Sequence, residues 1–359
     1  VSATRWGEPP WRLAYRPPPA PPPTRCDVAV VGAGFTGLST ALHLAQRGVR
    51  VAVLEAEHLG AGASGRTGGI PLEGTAAGAL DGVEDCLATL ARVVAEHAID
   101  CDLRLDGCWE LCHRDGPDVT PLWRDAGQPL GIGDTVAGGT VDPAGLVDGL
   151  ARAAVAAGAT LHEGAAVEAV TAGPPATLTI GASRVVADHV VLAMNAYTPA
   201  LVPAGPDFTP RVTLGLCTAP LGPEVHAAIG LGAGLPFYTS DLPYLWGRPT
   251  RDGRLILGAG LVSMPVRDAE VADAFTRLET RIRGFHPALA EVAITHRWGG
   301  PIAFREGFTP LLAEHPELPG VIVTGACAGH GIALGVRVGV LVAEVLLGGR
   351  SLPAWGRIG

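Results

Sequence analysis

The chain contains no lysine; all 26 of its basic residues are arginine. We attribute this first to GC-rich coding, but it also removes several chemistries. There is no ε-amine for a Schiff base, no lysine for a phosphate-binding P-loop and no catalytic lysine of any other kind. Cysteine is sparse: seven in 359 residues, an odd number, do not read as a disulfide framework. Basic runs are missing and the net charge is −9, so the chain is a poor nucleic-acid binder. No apolar segment follows Arg5, Arg12 and Arg16, which argues against a secretory signal. The charge-free stretch 318–336 is broken by five glycines and a histidine, so it reads as strand, turn and helix rather than a membrane span. A soluble, cytoplasmic protein is the expectation.

What is present suits a large core. Hydrophobic residues make up 48% and mean hydropathy is +0.30, enough for two domains or one elaborated α/β domain. Glycine (50) and proline (31) are abundant but sit between patterned apolar segments. Residues 1–25 form a proline-rich lead, expected to lie extended on the surface or loose. Beyond it, periodicity predicts a strand at 28–31, a helix at 36–47 and a strand at 49–54. Helices are expected at 83–98, 143–157, 268–283 and 331–347. Strands are expected at 108–112, 160–161, 166–171, 213–218, 244–248, 255–257 and 321–324, with a hairpin over 178–186 and a further strand at 188–193. The layout predicts a nucleotide domain (26–75, 143–210 and 296–350) interleaved with a sheet-rich domain (76–142 and 211–295).

The strongest motif is Gly32-Ala-Gly34-Phe35-Thr36-Gly37, placed between a strand and a helix. Gly32 permits the tight turn, Gly34 lets the backbone approach a pyrophosphate, and Gly37 lets the helix pack on the sheet. The helix N-terminus offers free N–H groups and a positive dipole end to the phosphates. Glu55 closes the second strand, where a carboxylate can accept ribose hydroxyls and repel a 2′-phosphate, which argues against NADP. The fingerprint alone does not separate FAD from NAD.

Two further segments bear on that choice. One is Gly60-Ala-Gly62-Ala63-Ser64-Gly-Arg66-Thr67-Gly68-Gly69; the other is Gly325-Ala-Cys327-Ala-Gly329-His330-Gly331-Ile332. With the fingerprint and Trp298-Gly-Gly-Pro-Ile302, they resemble the FAD-dependent D-amino-acid oxidase superfamily, in its glycine/sarcosine oxidase-like or γ-glutamylputrescine oxidase-like branch. The resemblance implies an α/β (α+β) fold in which a Rossmann-type FAD-binding domain interleaves with a β-sheet-rich substrate domain. It implies non-covalent FAD held by Gly32, Gly34, Phe35, Thr36 and Gly37 of the fingerprint, by Ala63, Ser64, Arg66, Thr67, Gly68 and Gly69, by Gly325, Gly329, His330, Gly331 and Ile332, and by Glu55, Val167 and Asn195. Cys327 lies in the flavin-facing turn but not where some relatives link flavin covalently. The turn at 329–332 would aim N–H donors at the flavin edge that becomes negative on reduction.

The resemblance further implies oxidation of a C–N bond in a small-molecule amine or amino acid, a secondary amine or N-substituted glycine being favoured. Hydride would pass to flavin N5, the imine would hydrolyse, and O2 would reoxidise the flavin to give H2O2. The alternatives are a dehydrogenase passing electrons to a quinone or protein acceptor, and a catalytically idle FAD-binding subunit. The sequence departs from the family in two places. Ile302 stands where amino-acid oxidases keep a carboxylate-binding arginine, and the lysine that promotes oxygen reduction in sarcosine-oxidase types is missing.

Tyr244, Trp246 and Arg248 share one face at period two, predicting an aromatic slot with an arginine to bind a substrate anion. Arg66 and Arg305 are other candidate anion binders, although a structural or solvent-facing role is expected of each. His330 is expected as a polar contact beside the flavin. Cys101, Cys108, Cys112 and His113 lack paired Cys-x-x-Cys spacing, so no metal site is expected and buried thiols are.

Overall fold

The computed structural model describes residues 6–241 and 244–358. The chain opens with strand β1 (Arg25–Val31), helix α1 (Phe35–Ala45) and strand β2 (Val51–Leu54). Helix α2 (Cys86–Glu96) leads into a first excursion: β3 (Cys108–Cys112), β4 (Thr120–Asp125) and β5 (Gln128–Val136). The return consists of α3 (Pro143–Ala156), β6 (Thr160–His162), β7 (Ala169–Thr171), β8 (Ala176–Ile180) and β9 (Ser183–Leu192). A second excursion carries β10 (Thr209–Thr218), α4 (Pro223–Ala228), β11 (Phe237–Thr239), β12 (Leu245–Pro249), β13 (Leu255–Ser263), α5 (Asp268–Arg283) and β14 (Ile294–Phe304). The chain ends with β15 (Leu311–Glu314), β16 (Val321–Gly325) and α6 (Ala333–Leu346).

Two eight-stranded sheets result. The first has the order β15-β16-β9-β1-β2-β6, with the β7–β8 pair attached to β9. Its centre is parallel, β1 lying between β2 and β9. Strands buried on both faces need unbroken apolar runs, and 28-Val-Ala-Val-Val-31 supplies one. The second sheet has the order β14-β10-β13-β12-β11-β3-β5-β4 and is antiparallel except at β11–β3.

The packing corrects the expected boundaries. α2 buries Cys86, Leu87, Leu90 and Val93 in the same core as α1 and α6, so it belongs to the nucleotide half and not to the 76–142 unit. β14 pairs with β10, so residues 294–304 belong to the second sheet and not to the returning nucleotide segment. β9 is one continuous strand where a hairpin arm and a separate strand were expected. The strands β4, β5, β11, β14 and β15 were not expected at all.

The N-terminal lead is extended, as proline dictates, but it is not loose; residues 1–5 of it lie outside the described residues. Trp6 is buried in the core of the second sheet. Trp11 meets Trp298 edge-on at 5.5 Å and donates Nε1–H to Gly65 O at 2.8 Å. The Asp148 carboxylate accepts from the backbone N–H groups of Ala14 and Tyr15, and His162 Nδ1 is 2.9 Å from Ala20 O. The lead therefore crosses both halves.

Candidate active site

A cavity of about 980 Å³ lies between the two sheets. One wall is formed by the turns that follow β1, β2, β9 and β16, at the carboxyl edge of the parallel strands where open α/β sheets bind ligands. The other wall is formed by side chains of β10, β12, β13 and β14.

On the first wall the backbone makes the surface. Gly32 has φ +103°, and a Cβ on Gly37 would stand 2.0 Å from Gly32 O, so only glycine allows α1 to start against β1. α1 begins with no side-chain cap and no acidic residue in its first turn, which leaves its positive end toward Gly34, Phe35 and Thr36 in the lining. Ser64 Oγ accepts from Phe35 N–H at 3.0 Å, so its own hydroxyl proton is free for a ligand. Glu55 accepts from Ala33 N–H at 2.9 Å and Glu57 N–H at 3.0 Å. Burial raises the Glu55 pKa, against the pull of these two bonds.

A second helix end converges on the same space. After β16 the chain takes positive φ at Ala326, Ala328 and Gly329, and α6 then starts, again without a side-chain cap. Asn195 Oδ1 fixes this turn by accepting from Ala326 N–H at 3.0 Å. α6 lies directly on α1: a Cβ on Gly339 would be 2.5 Å from Ser39 Cβ, and Ser39 Oγ donates to Val336 O at 2.8 Å. This close approach brings both helix N-termini to one cavity. His330 lines it with Nδ1 buried and without a partner, and burial lowers the His330 pKa, so the ring is neutral at pH 7. Burial pushes the Cys327 thiol up to about 12. Two uncapped helix ends, room kept by glycine, and the orphaned Tyr197 hydroxyl and His330 Nδ1 together fit FAD.

The cavity brings together most of the residues singled out from the sequence. Gly32, Gly34, Phe35, Thr36, Glu55, Ala63, Ser64, Arg66, Thr67, Gly68, Val167 and Asn195 line it, as do Gly325, Gly329, His330, Gly331 and Ile332. Gly37 and Gly69 stand behind the lining, where each makes room for backbone or side-chain packing. Across from them, Tyr244 and Trp246 form part of the second wall. Trp246 is clamped between glycines: a Cβ would approach its ring to 2.2 Å from Gly68 and 1.9 Å from Gly258. Burial pushes the Tyr244 phenol up to about 12, so it stays protonated.

Arg248 is a correction. It was expected to bind a substrate anion, but it is outside the lining and turned into the protein. Nε donates to Gly68 O at 2.6 Å and Nη2 to Val141 O at 3.4 Å, and burial lowers its pKa to about 10. It fastens β12 to the glycine loop of the first wall. Arg66 reaches the lining, yet its Nε donates to Gly299 O at 2.6 Å and its Nη2 to Gly7 O. Arg305 is bound to Asp207, Pro310 O and Arg357 O. The expected thiols divide: Cys101 and Cys108 are buried, whereas Cys112 is partly exposed because a register shift after Glu110 breaks the strand's alternation. His113 lies between carboxylates, with Nδ1 2.9 Å from Asp241 and Nε2 2.9 Å from Asp125, whose other bonds come from Arg281.

Several lining residues were missed from sequence: Thr209, Arg211 and Thr213 on β10, Leu261 on β13, Asp241, and the rim pair Phe304–Phe308. The available signal was the alternation in Thr209-Pro-Arg-Val-Thr213, since the expected strand began only at residue 213.

A family model described as FAD dependent oxidoreductase matches residues 27–345. The chain is 30% identical to a probable oxidoreductase OrdL of Rhizobium meliloti, over 92% of this chain and 85% of that one. It is 29% identical to gamma-glutamylputrescine oxidoreductase of Escherichia coli, over 90% and 84% respectively. Its fold is similar to that of glycine oxidase from Geobacillus kaustophilus, with a TM-score of 0.72 at 22% identity, covering 92% of this chain and 96% of that one. The two-sheet cavity and the match along nearly the whole chain place this protein in the DAO family of FAD-dependent oxidoreductases.

Proposed function

We propose that this enzyme oxidises a C–N bond of an amine or amino acid, with a secondary amine or N-substituted glycine as substrate and O2 as electron acceptor. The observation that carries the reading is the cavity itself: a backbone cradle with two helix N-termini on one side, and an aromatic strand face on the other. Relatives named gamma-glutamylputrescine oxidoreductase and glycine oxidase support the class.

FAD, bound non-covalently, supplies the hydride acceptor. The chain supplies everything else. The N-terminal end of α6, with the turn at Gly329 and Gly331, favours negative charge at the cavity edge it faces. Trp246, fixed between two glycines, walls the slot and excludes water from the reacting carbon. The Tyr244 hydroxyl remains a hydrogen-bond donor, and neutral His330 leaves one ring nitrogen open to a ligand. The lining acids are Glu55 and Glu57 beside the cradle and Asp241, which is bonded to His113; no step assigned here needs a carboxylate base, because the amine arrives neutral. With no lysine in the chain, charge for oxygen reduction falls to the helix end and to arginine.

The test is anaerobic bleaching of the FAD-loaded protein by a panel of primary amines, secondary amines and N-alkyl glycines. Bleaching by N-alkyl glycines or secondary amines is expected, and the reading fails if no amine bleaches it. Hydrogen peroxide at one equivalent per turnover is expected of an oxidase; its absence with a bleachable flavin would assign the electrons to a quinone or protein acceptor.

A further inference from the structure

On β10, alternation puts Thr209, Arg211 and Thr213 on one face, and all three line the cavity. The strand runs from the rim inward. Thr209 pairs with Phe304, Arg211 with Ile302 and Thr213 with Gly300, and a Cβ on Gly300 would lie 3.6 Å from Arg66 Cβ in the cradle loop. The neighbours across β14 are therefore apolar or lack a side chain, and the polarity of this face comes from β10.

Arg211 differs from the other arginines near the site. Arg66 and Arg248 each donate to two carbonyls from other segments, whereas among the described residues Arg211 has no carboxylate partner and its one acceptor is the adjacent Pro210 O, 3.2 Å from Nη1. Nε and Nη2, the edge of the guanidinium that grips a carboxylate with two parallel bonds, are left open. Two residues further in, Thr213 Oγ1 is buried without a partner. A buried hydroxyl with no acceptor and a half-buried cation with no anion are both unfavourable, and one ligand oxygen pair answers both. Around them Leu261 and Phe308 are exposed apolar side chains at the cavity rim.

We infer that Arg211 and Thr213 form a carboxylate-binding subsite, so that the substrate is an amine bearing a carboxylate and not a plain alkylamine. This rests on the reading of the cavity as the substrate site. Arg211 stands directly opposite Ile302 in the ladder, so β14 presents no charged side chain there to compete for the anion. The apolar rim receives the substituent that the carboxylate does not occupy.

Calorimetric titration of the FAD-loaded protein with propanoate, and with propanamide as its uncharged isostere, tests the subsite without any turnover. Propanoate is expected to bind the wild type at least about 10-fold more tightly than propanamide, and Arg211→Met to weaken propanoate by about 10- to 100-fold. Thr213→Val is expected to weaken it by about 3- to 10-fold, and this variant carries the test if Arg211→Met does not retain FAD. The inference is overturned if propanoate does not bind the wild type, if propanamide binds equally well, or if both variants bind propanoate unchanged. Propanoate binding with no amine bleaching the flavin would sink the oxidation reading and leave the subsite standing. Bleaching by uncharged amines with no propanoate binding would do the reverse.

Discussion

The two walls of the cavity are built on different plans. The nucleotide wall is made of main chain: turns whose glycines let N–H groups and helix ends reach the ligand. The substrate wall is made of side chains standing on strands, each aimed by ladder register. A main-chain wall is intolerant of added atoms wherever its glycines pack against backbone, yet indifferent to most side-chain chemistry, whereas a side-chain wall tolerates exchange and so can diverge in specificity.

The largest effect should come from breaking the first plan. Gly37→Val drives side-chain atoms into Gly32 O, so the purified protein should lack the 450 nm flavin band; Gly62→Ala, with only ordinary contact at 3.8 Å, should keep it. Next is the buried support of the second wall. Asp125→Ala removes the buried carboxylate that Arg281 and His113 share and should cost about 3–5 kcal/mol in urea unfolding, because one member of a buried ion-pair network is lost. Arg248→Met removes the bolt between the walls and frees two carbonyl acceptors. It should destabilise by about 1–3 kcal/mol while leaving propanoate affinity unchanged, the opposite of Arg211→Met.

The smallest effect is a pH dependence. Burial lowers the His113 pKa, but its bonds to Asp125 and Asp241 outweigh burial and raise it above the ordinary 6.5. The stability advantage of wild type over His113→Gln should therefore be complete below pH 6.5 and fade as pH rises through the raised value, measured by thermal melts at several pH values.

This division also explains what the sequence disclosed. The cradle was legible because each glycine in Gly32-Ala-Gly34-Phe-Thr-Gly37 answers a local steric demand at fixed spacing, and Glu55 follows at the end of the next strand. The aromatic pair Tyr244 and Trp246 was legible from alternation alone. Arg248 sits on the same alternating face but belongs to its buried end, and periodicity does not distinguish a residue that lines a cavity from one that bolts its wall. Arg211 was hidden for a related reason: its significance depends on standing opposite Ile302, and cross-strand register is a long-range fact that no window of sequence contains. The placement of β14 was lost in the same way, since its paired residues on β10 lie 76 to 95 positions earlier.

The N-terminal lead has a consequence for how this molecule is made. Trp6, Gly7 and Trp11 are made well before their docking partners, the Trp298 ring and the backbone at 297–299, which lie nearly three hundred residues later in the chain. Seating of the lead must wait until residues 297–299 have been translated.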